Sequence, residues 1–278
     1  MCLLFFNNKS KEHDMSKKQD LMKALDEDEV LYLTDKMARN PKGTPTIAQL
    51  TSFKIGLKCK NKKQKDLHKL IQDKEIVFCQ GSAGTGKSYV ATETALELIK
   101  NGTYSKIIIC CPNVESSSMP IGLLPGTIEE KMQPYMDAIE FTIQKILDES
   151  GNMGSKEILS SLLKNDIIRE EAISFLRGKT FDNSIIIVDE AENLNKQETL
   201  LILSRIGRNS KMIFLGDNQQ IDRRDIKKSK DKCGLDFAFE VLQNIDEIGF
   251  LEFSEEDIVR NPIITKIIKR WNGIENQE

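Results

Sequence analysis

A glycine-rich segment that ends in a lysine and a serine is the first feature of the sequence that indicates a specific chemistry. The segment consists of Gly81, Ser82, Ala83, Gly84, Thr85, Gly86, Lys87 and Ser88. It matches the pattern G-x-x-x-x-G-K-S/T in full, between an apolar run and a helical pattern. In such a segment the glycines let successive N–H groups point at one anion, and the following helix adds the positive end of its dipole. Lys87 would neutralise β/γ-phosphate charge and Ser88 would offer a hydroxyl group to Mg²⁺. An ordinary glycine-rich turn is the alternative interpretation.

A pair of adjacent carboxylates follows a second apolar run. Asp189 and Glu190 come directly after four apolar residues, 185–188. A buried strand that ends in acids delivers them to the carboxyl edge of a sheet, where α/β folds bind ligands. We expect Asp189 to hold Mg²⁺ and Glu190 to orient and polarise an attacking water molecule. The alternative is a helix N-cap with acids in the first turn.

A third polar group follows the apolar run 212–215. Gly216, Asp217, Asn218 and Gln220 would reach the same edge of the sheet. Gln220 or Asn218 could sense the γ-phosphate and its disappearance. Gly-Asp-Asn is also favourable turn chemistry, so this signal is weak when taken alone.

The elements that position these residues form an alternating pattern. Short runs that are apolar at every position, at 76–79, 106–110, 185–188 and 212–215, predict strands covered on both faces. Helical patterns at 64–71 and 89–100 alternate with the strands. The sequence therefore predicts an α/β fold with a mostly parallel sheet flanked by helices. Residues 1–58 read as a variable N-terminal extension with a short amphipathic helix within 17–37, and residues 59–278 as the ATPase domain.

Composition excludes several other classes of site. The chain has 278 residues, a formal net charge of -3 and only two histidines, which argues strongly against a histidine-based triad or a multi-histidine metal site. None of the six cysteines forms a C-x-x-C pair. The apolar start, Met1 to Phe6, is too short for a membrane span or a signal peptide. We expect a cytoplasmic protein with thiols kept reduced.

The order of these motifs resembles the PhoH-like ATPases, including the short versions found in bacteriophages. The resemblance covers about residues 58–272. The matching blocks are 81–88, 111–115, 122–126, 130–131, 134–135, 175–180, 189–193, 205–207, 210–211, 216–222, 234–235 and 257–262. Each block beyond the phosphate loop is weak alone, but together and in this order they are highly specific.

The resemblance implies a RecA-like P-loop NTPase core that binds ATP with Mg²⁺. It also implies RNA or single-stranded nucleic acid as a partner, helicase-like activity and a homo-oligomeric ring, in the cytoplasm of a bacterial host if a phage encodes the chain. Gln64 stands where related motors place an adenine-reading glutamine; a solvated helix residue is its alternative. Arg260 and Arg205 are candidates for an arginine finger, in cis or from a neighbour; a surface ion pair is the alternative for each.

The chain departs from the family pattern at four positions. Ser82 replaces a proline, Cys111 an arginine, Glu192 a glutamine and Asn261 a histidine. These changes spare the predicted phosphate, metal and water-activating residues, so hydrolysis remains expected. They weaken the expectation that hydrolysis is coupled to a nucleic-acid strand.

Two lysine- and arginine-rich clusters are candidates for phosphate contacts, with a solvated face as the alternative. The first comprises Lys54, Lys58, Lys60, Lys62, Lys63, Lys65 and Lys69, and the second Arg223, Arg224, Lys227, Lys228, Lys230 and Lys232. Two other functional classes stay open: a nucleotide-gated interaction module without strand activity, and a nucleotide kinase.

Overall fold

The computed structural model describes residues 50–112, 128–223, 226–227, 232–259, 263, 267 and 270. The helix predicted within 17–37 lies outside these ranges and stays a prediction. The predicted site residue Arg260 lies outside them as well.

The described elements mostly alternate between strands and helices, apart from two consecutive helices followed by two consecutive strands in the middle of the chain. In chain order they are α1 (Lys62–Asp73), β1 (Ile76–Gly81), α2 (Lys87–Lys100), β2 (Lys106–Cys111), α3 (Ile128–Glu149), α4 (Ser155–Lys164), β3 (Ile168–Ala172), β4 (Ser184–Val188), α5 (Lys196–Leu203), β5 (Lys211–Gly216), α6 (Gly234–Val241) and β6 (Ile248–Phe253). Short 3₁₀ turns follow β4 at Ala191–Asn193 and β5 at Asn218–Gln220.

The strands form one six-stranded sheet in the order β3-β2-β4-β5-β1-β6. All its pairings are parallel, so the predicted α/β fold with a parallel sheet is confirmed. The four predicted apolar runs became β1, β2, β4 and β5, which occupy the interior of the sheet. The edge strands β3 and β6 were not predicted, because their residues are only partly buried.

Alternate residues of each interior strand face two separate cores. On one face Val77, Ile109 and Ile187 pack with the apolar sides of α1, α2, α3 and α4. On the other, Phe78 and Ile186 pack with α5 and α6. Burial on both faces explains why these strands are apolar at consecutive positions rather than at alternate ones.

The first described residues already belong to the packed part of the chain. Phe53 is buried, and Leu50, Ile55 and Leu57 pack against the same core as α1 and α2. The boundary that we predicted at residues 58 and 59 stays a prediction. Among the described residues no helix is both long and apolar enough to cross a lipid bilayer.

Register brings three strand ends to one edge of the sheet. Val188 of β4 pairs with Phe214 of β5, which pairs in turn with Phe78 of β1. The residues after each strand, from Gly81, Asp189 and Asp217 onward, therefore emerge side by side at the carboxyl edge.

Candidate nucleotide-binding site

The glycine-rich segment forms a tight connection between β1 and α2. Gly86, immediately before α2, has a φ of 89°, a left-handed conformation that glycine adopts without steric cost. Gly81 lies against β6, where an added Cβ atom would be 2.3 Å from the Phe253 carbonyl oxygen. Any larger residue at position 81 would push the loop away from the sheet.

The N-terminus of α2 has features that favour anion binding. No side chain caps its first turn within the described part of the chain, and no acidic residue lies in that turn. The first N–H groups of a helix have no intrahelical partner and carry the positive end of the helix dipole. Such an end binds phosphate without further modification.

Lys87 extends back into this loop. Its Nζ donates hydrogen bonds to the Gly81 carbonyl oxygen and, over 3.1 Å, to the Ser82 carbonyl oxygen. The residue is only 8% exposed. The ammonium group thus places a positive charge inside the loop, beside the helix N-terminus.

Ser88 and Asp189 meet where α2 begins and β4 ends. The Ser88 hydroxyl group donates a 3.0 Å hydrogen bond to Asp189 Oδ1. Burial and then the neighbouring Glu190 charge raise the pKa of Asp189 to about 6, while the Ser88 hydrogen bond and Lys87 act in the opposite direction. Two hard oxygen ligands lie together here, and Mg²⁺ prefers such ligands. These residues therefore fit a magnesium ion bound together with phosphate.

Glu190 has an unusual backbone conformation for a residue with a side chain. Its φ is 54°, and its N–H donates to Asp189 Oδ1 over 3.1 Å. A left-handed conformation costs such a residue about 1–2 kcal/mol. The turn exposes the Glu190 side chain while Asp189 stays half-buried. Glu190 can therefore contact water next to the predicted metal site.

Asp217 is a member of the site for which no role was predicted from the sequence. Its Oδ2 accepts hydrogen bonds of 2.8 Å from the Ala83 N–H and from Gln220 Nε2. The signal for it was its position directly after β5, but that position alone does not identify a partner. Through Asp217 the exposed Gln220 is brought to the phosphate loop, whereas Asn218 Nδ2 donates to Gln80 Oε1 instead.

Gln64 packs directly against the loop and is 4% exposed. Its Nε2 donates to the Thr85 carbonyl oxygen over 2.8 Å, and its Oε1 accepts from the Lys60 N–H over 2.7 Å. The solvated alternative for Gln64 is therefore wrong. Both ends of its amide group support the loop, which places Gln64 next to the site without assigning it a base contact.

The structure does not bring Arg205 together with these residues. Arg205 lies between α5 and β5, where the chain has returned to the opposite edge of the sheet. Its guanidinium group donates to the carbonyl oxygens of Lys179 and Leu201 and to Ser204 Oγ. A role for Arg205 as a finger within its own chain is therefore not supported. Arg260 follows Val259, whose N–H donates to the Gly84 carbonyl oxygen over 3.0 Å.

Among the described residues, the two basic clusters differ in how many of their side chains form ion pairs; Arg224, Lys228 and Lys230 of the second cluster lie outside the described ranges. In the second cluster, Arg223 forms an ion pair with Glu198 and Lys232 with Glu240. In the first, all seven lysines are described and none has an ion pair within the described residues; six of them, at positions 54, 58, 60, 62, 65 and 69, are exposed. The first cluster is the stronger candidate for a polyanion contact.

Comparisons with known proteins found a family model and several relatives. The family model for PhoH-like protein matches residues 56–272. A PhoH-like protein from Bacillus subtilis is 34% identical over 216 residues, which cover 78% of this chain and 64% of the relative. A PhoH-like protein from Synechocystis is 29% identical over 220 residues, which cover 79% of this chain and 63% of the relative. Protein PhoH of Escherichia coli is 28% identical over 216 residues, which cover 77% of this chain and 57% of the relative. The chain thus spans less than two thirds of the length of these relatives.

Proposed function

The chain belongs to the PhoH-like family of P-loop ATPases, and from this premise we propose that it binds ATP with Mg²⁺ and hydrolyses it. The observation that carries the proposal is the 3.0 Å hydrogen bond from Ser88 to Asp189 Oδ1, beside the loop that contains Lys87. It joins the phosphate loop to the acidic end of β4, and hydrolysis requires both.

Phosphate binding is assigned to the loop and to the start of α2. The N–H groups of residues 82–88 and the Lys87 ammonium group would hold the β- and γ-phosphates. Ser88 and Asp189 would hold Mg²⁺, which neutralises charge on the phosphate oxygens when it is bound.

Water activation is assigned to Glu190. Its exposed carboxylate would accept a proton from the water that attacks the γ-phosphorus, while the bond from that phosphorus to the β-phosphate oxygen breaks and ADP leaves. Gln220, held by Asp217, would contact the γ-phosphate and register its loss. An arginine, Arg260 or Arg205 from a neighbouring subunit, would complete the charge stabilisation.

We also propose that the ATPase acts on RNA or single-stranded nucleic acid as a cytoplasmic homo-oligomeric ring. The exposed lysines before and along α1 support a contact with a polyanion. Such a surface carries no sequence information, so the contact would be to phosphates rather than bases.

Phosphate release with and without single-stranded RNA, single-stranded DNA and duplex tests both proposals. Radiolabelled γ-phosphate should appear as free phosphate, and single strands should increase the rate. Transfer of the label to another nucleotide would indicate a kinase. ATP binding without any release would indicate a nucleotide-gated interaction module.

A further inference from the structure

Glu192 is a fully buried carboxyl group beside the proposed catalytic residues. It lies in the 3₁₀ turn after β4 and is 0% exposed. Its Oε2 accepts a 3.0 Å hydrogen bond from the Asp217 N–H. Its Oε1 is buried and has no hydrogen-bond partner among the described residues. A buried polar atom without a partner is rare in folded proteins and calls for an explanation.

The protonation state of Glu192 follows from its surroundings. Burial and then the neighbouring Glu190 carboxylate raise the pKa of Glu192 to about 9. The group is therefore neutral near pH 7 and has one O–H donor. Because Oε2 already accepts from the Asp217 N–H, the unpaired Oε1 is the atom that carries the proton.

Glu190 is the acceptor within reach of that proton. Its side chain is exposed, and it is the neighbouring side chain that, after burial, raises the pKa of Glu192. Hydrogen bonds at catalytic residues are often long in structures without substrate and shorten in the working complex. A donor on the buried side would restrict the Glu190 carboxylate to one orientation.

We propose that Glu192 is a positioning residue, which donates a hydrogen bond from Oε1 to Glu190 and so aims that carboxylate at the attacking water. The inference rests on the proposed ATPase function and adds a residue that acts only through Glu190.

The same contact ties Glu190 to the phosphate loop. The Asp217 N–H donates to Glu192, and Asp217 Oδ2 accepts from the Ala83 N–H over 2.8 Å. Asp217, directly after β5, therefore holds the phosphate loop with its side chain and Glu192 with its backbone N–H. A shift of the loop on nucleotide binding would be transmitted to Glu192 through these two hydrogen bonds, and to Glu190 through the proposed third one.

Gly216 leaves room for the Glu192 carboxyl group because it has no side chain. A Cβ atom at Gly216 would lie 2.7 Å from Glu192 Oε2 and 3.0 Å from the Glu192 nitrogen. Glycine is therefore required for Glu192 to reach the Asp217 N–H. The Leu235 side chain lies at the same position, with Cδ2 2.5 Å from such a Cβ atom, so glycine leaves room for both Leu235 and Glu192.

Two substitutions in the full chain separate hydrogen bonding from packing. Glu192→Gln keeps an acceptor for the Asp217 N–H and a donor for Glu190, whereas Glu192→Met keeps the shape and loses both. We expect E192Q to release phosphate from ATP within about twofold of the wild-type kcat, and E192M to lose about tenfold or more, a part of the ~10²–10⁴-fold that a general base supplies. The dissociation constant for ATP should change by less than about twofold in both, since the phosphate loop is untouched.

Either of two results would overturn the inference: E192M that turns over at the wild-type rate, or E192Q that loses as much as E192M. A loss of phosphate release in E192Q would contradict the inference even if E192M folds poorly. E192Q retains a hydrogen-bond donor at this position, so its loss of activity would show that the donor is not sufficient to position Glu190. A wild-type chain that binds ATP and releases no phosphate would contradict the proposed function and this inference together. Normal wild-type turnover with an unaffected E192M would contradict this inference alone.

Discussion

The Ser88 hydroxyl group donates a 3.0 Å hydrogen bond to Asp189 Oδ1, although 101 positions separate the two residues in the chain. Ser88 lies in the first turn of α2 and Asp189 directly follows β4, so the contact depends on the order of strands in the sheet. It joins a loop suited to phosphate to a carboxylate suited to a metal ion. The predictions below follow from this junction and from the buried acids around it.

Removal of the loop cation should abolish useful nucleotide binding. Lys87→Ala takes away the ammonium group inside the loop, and we expect ATP affinity to fall by about 100-fold, the equivalent of about 2.7 kcal/mol. Fluorescence titration with labelled ATP measures this affinity. The matched control is Lys100→Ala at the other end of α2, where the side chain is exposed and affinity should not change.

Removal of the Ser88 hydroxyl group should change the magnesium requirement. Ser88→Ala deletes one of two hard oxygen ligands, so half-maximal phosphate release should need about tenfold more Mg²⁺, about 1.4 kcal/mol. Ser88→Thr retains the hydroxyl group and should behave as the wild type does. An unchanged magnesium requirement in S88A would show that this hydroxyl group does not contact the ion.

Gln64 should contribute equally to the binding affinity of nucleotides with different bases. Because its amide group bonds to Thr85 and Lys60, Gln64→Ala loosens the phosphate loop rather than a base pocket. We expect ATP and GTP affinities to fall by the same factor in parallel titrations. A loss confined to ATP would show instead that Gln64 reads adenine, as the family resemblance implies.

Glu93 should make the stability of the chain depend on pH. It lies on α2 at 1% exposure, and burial followed by the charges of Glu149 and Glu97 raises its pKa from 4.5 to about 7. Between these pH values the native state retains a proton that the unfolded state has lost. The free energy of unfolding therefore falls as pH rises through this window, and the penalty is complete above it.

Glu93→Gln removes that titration. In urea unfolding, E93Q should be more stable than the wild type by about 2–3 kcal/mol at pH 8 and nearly equal to it at pH 5. The control Glu157→Gln, at an exposed position of α4, should differ little from the wild type at either pH. Equal stability of E93Q and the wild type at pH 8 would contradict the assignment.

The interior of the fold could be predicted from the sequence, and its edges could not. The strand β4 is buried at every position, and its four consecutive apolar residues after Ser184 make it visible in the sequence. The edge strand β3 carries Arg169, Glu170 and Glu171 between its buried ends, so nothing in its local sequence distinguishes it from a surface turn. Its pairing with β2 depends on the tertiary structure alone.

The site was predictable where its chemistry is local. The phosphate loop and the Asp189-Glu190 pair are contiguous motifs, and their residues do lie together. The contacts of Asp217 and Glu192 depend on the register of β5 between β4 and β1, which a single sequence does not give. The sequence left open whether Arg205 acts within its own chain or from a neighbour, because it does not show that α5 carries the chain back to the opposite edge of the sheet over about 12 Å.

Glu190→Gln is the most direct test of the central claim that the junction between the phosphate loop and β4 hydrolyses ATP. We expect E190Q to bind ATP with wild-type affinity while phosphate release falls by about 10²–10⁴-fold, because the amide cannot accept the proton from water. The control Glu256→Gln, an exposed carboxylate in the segment after β6, should leave both quantities unchanged. Normal phosphate release by E190Q would contradict the account.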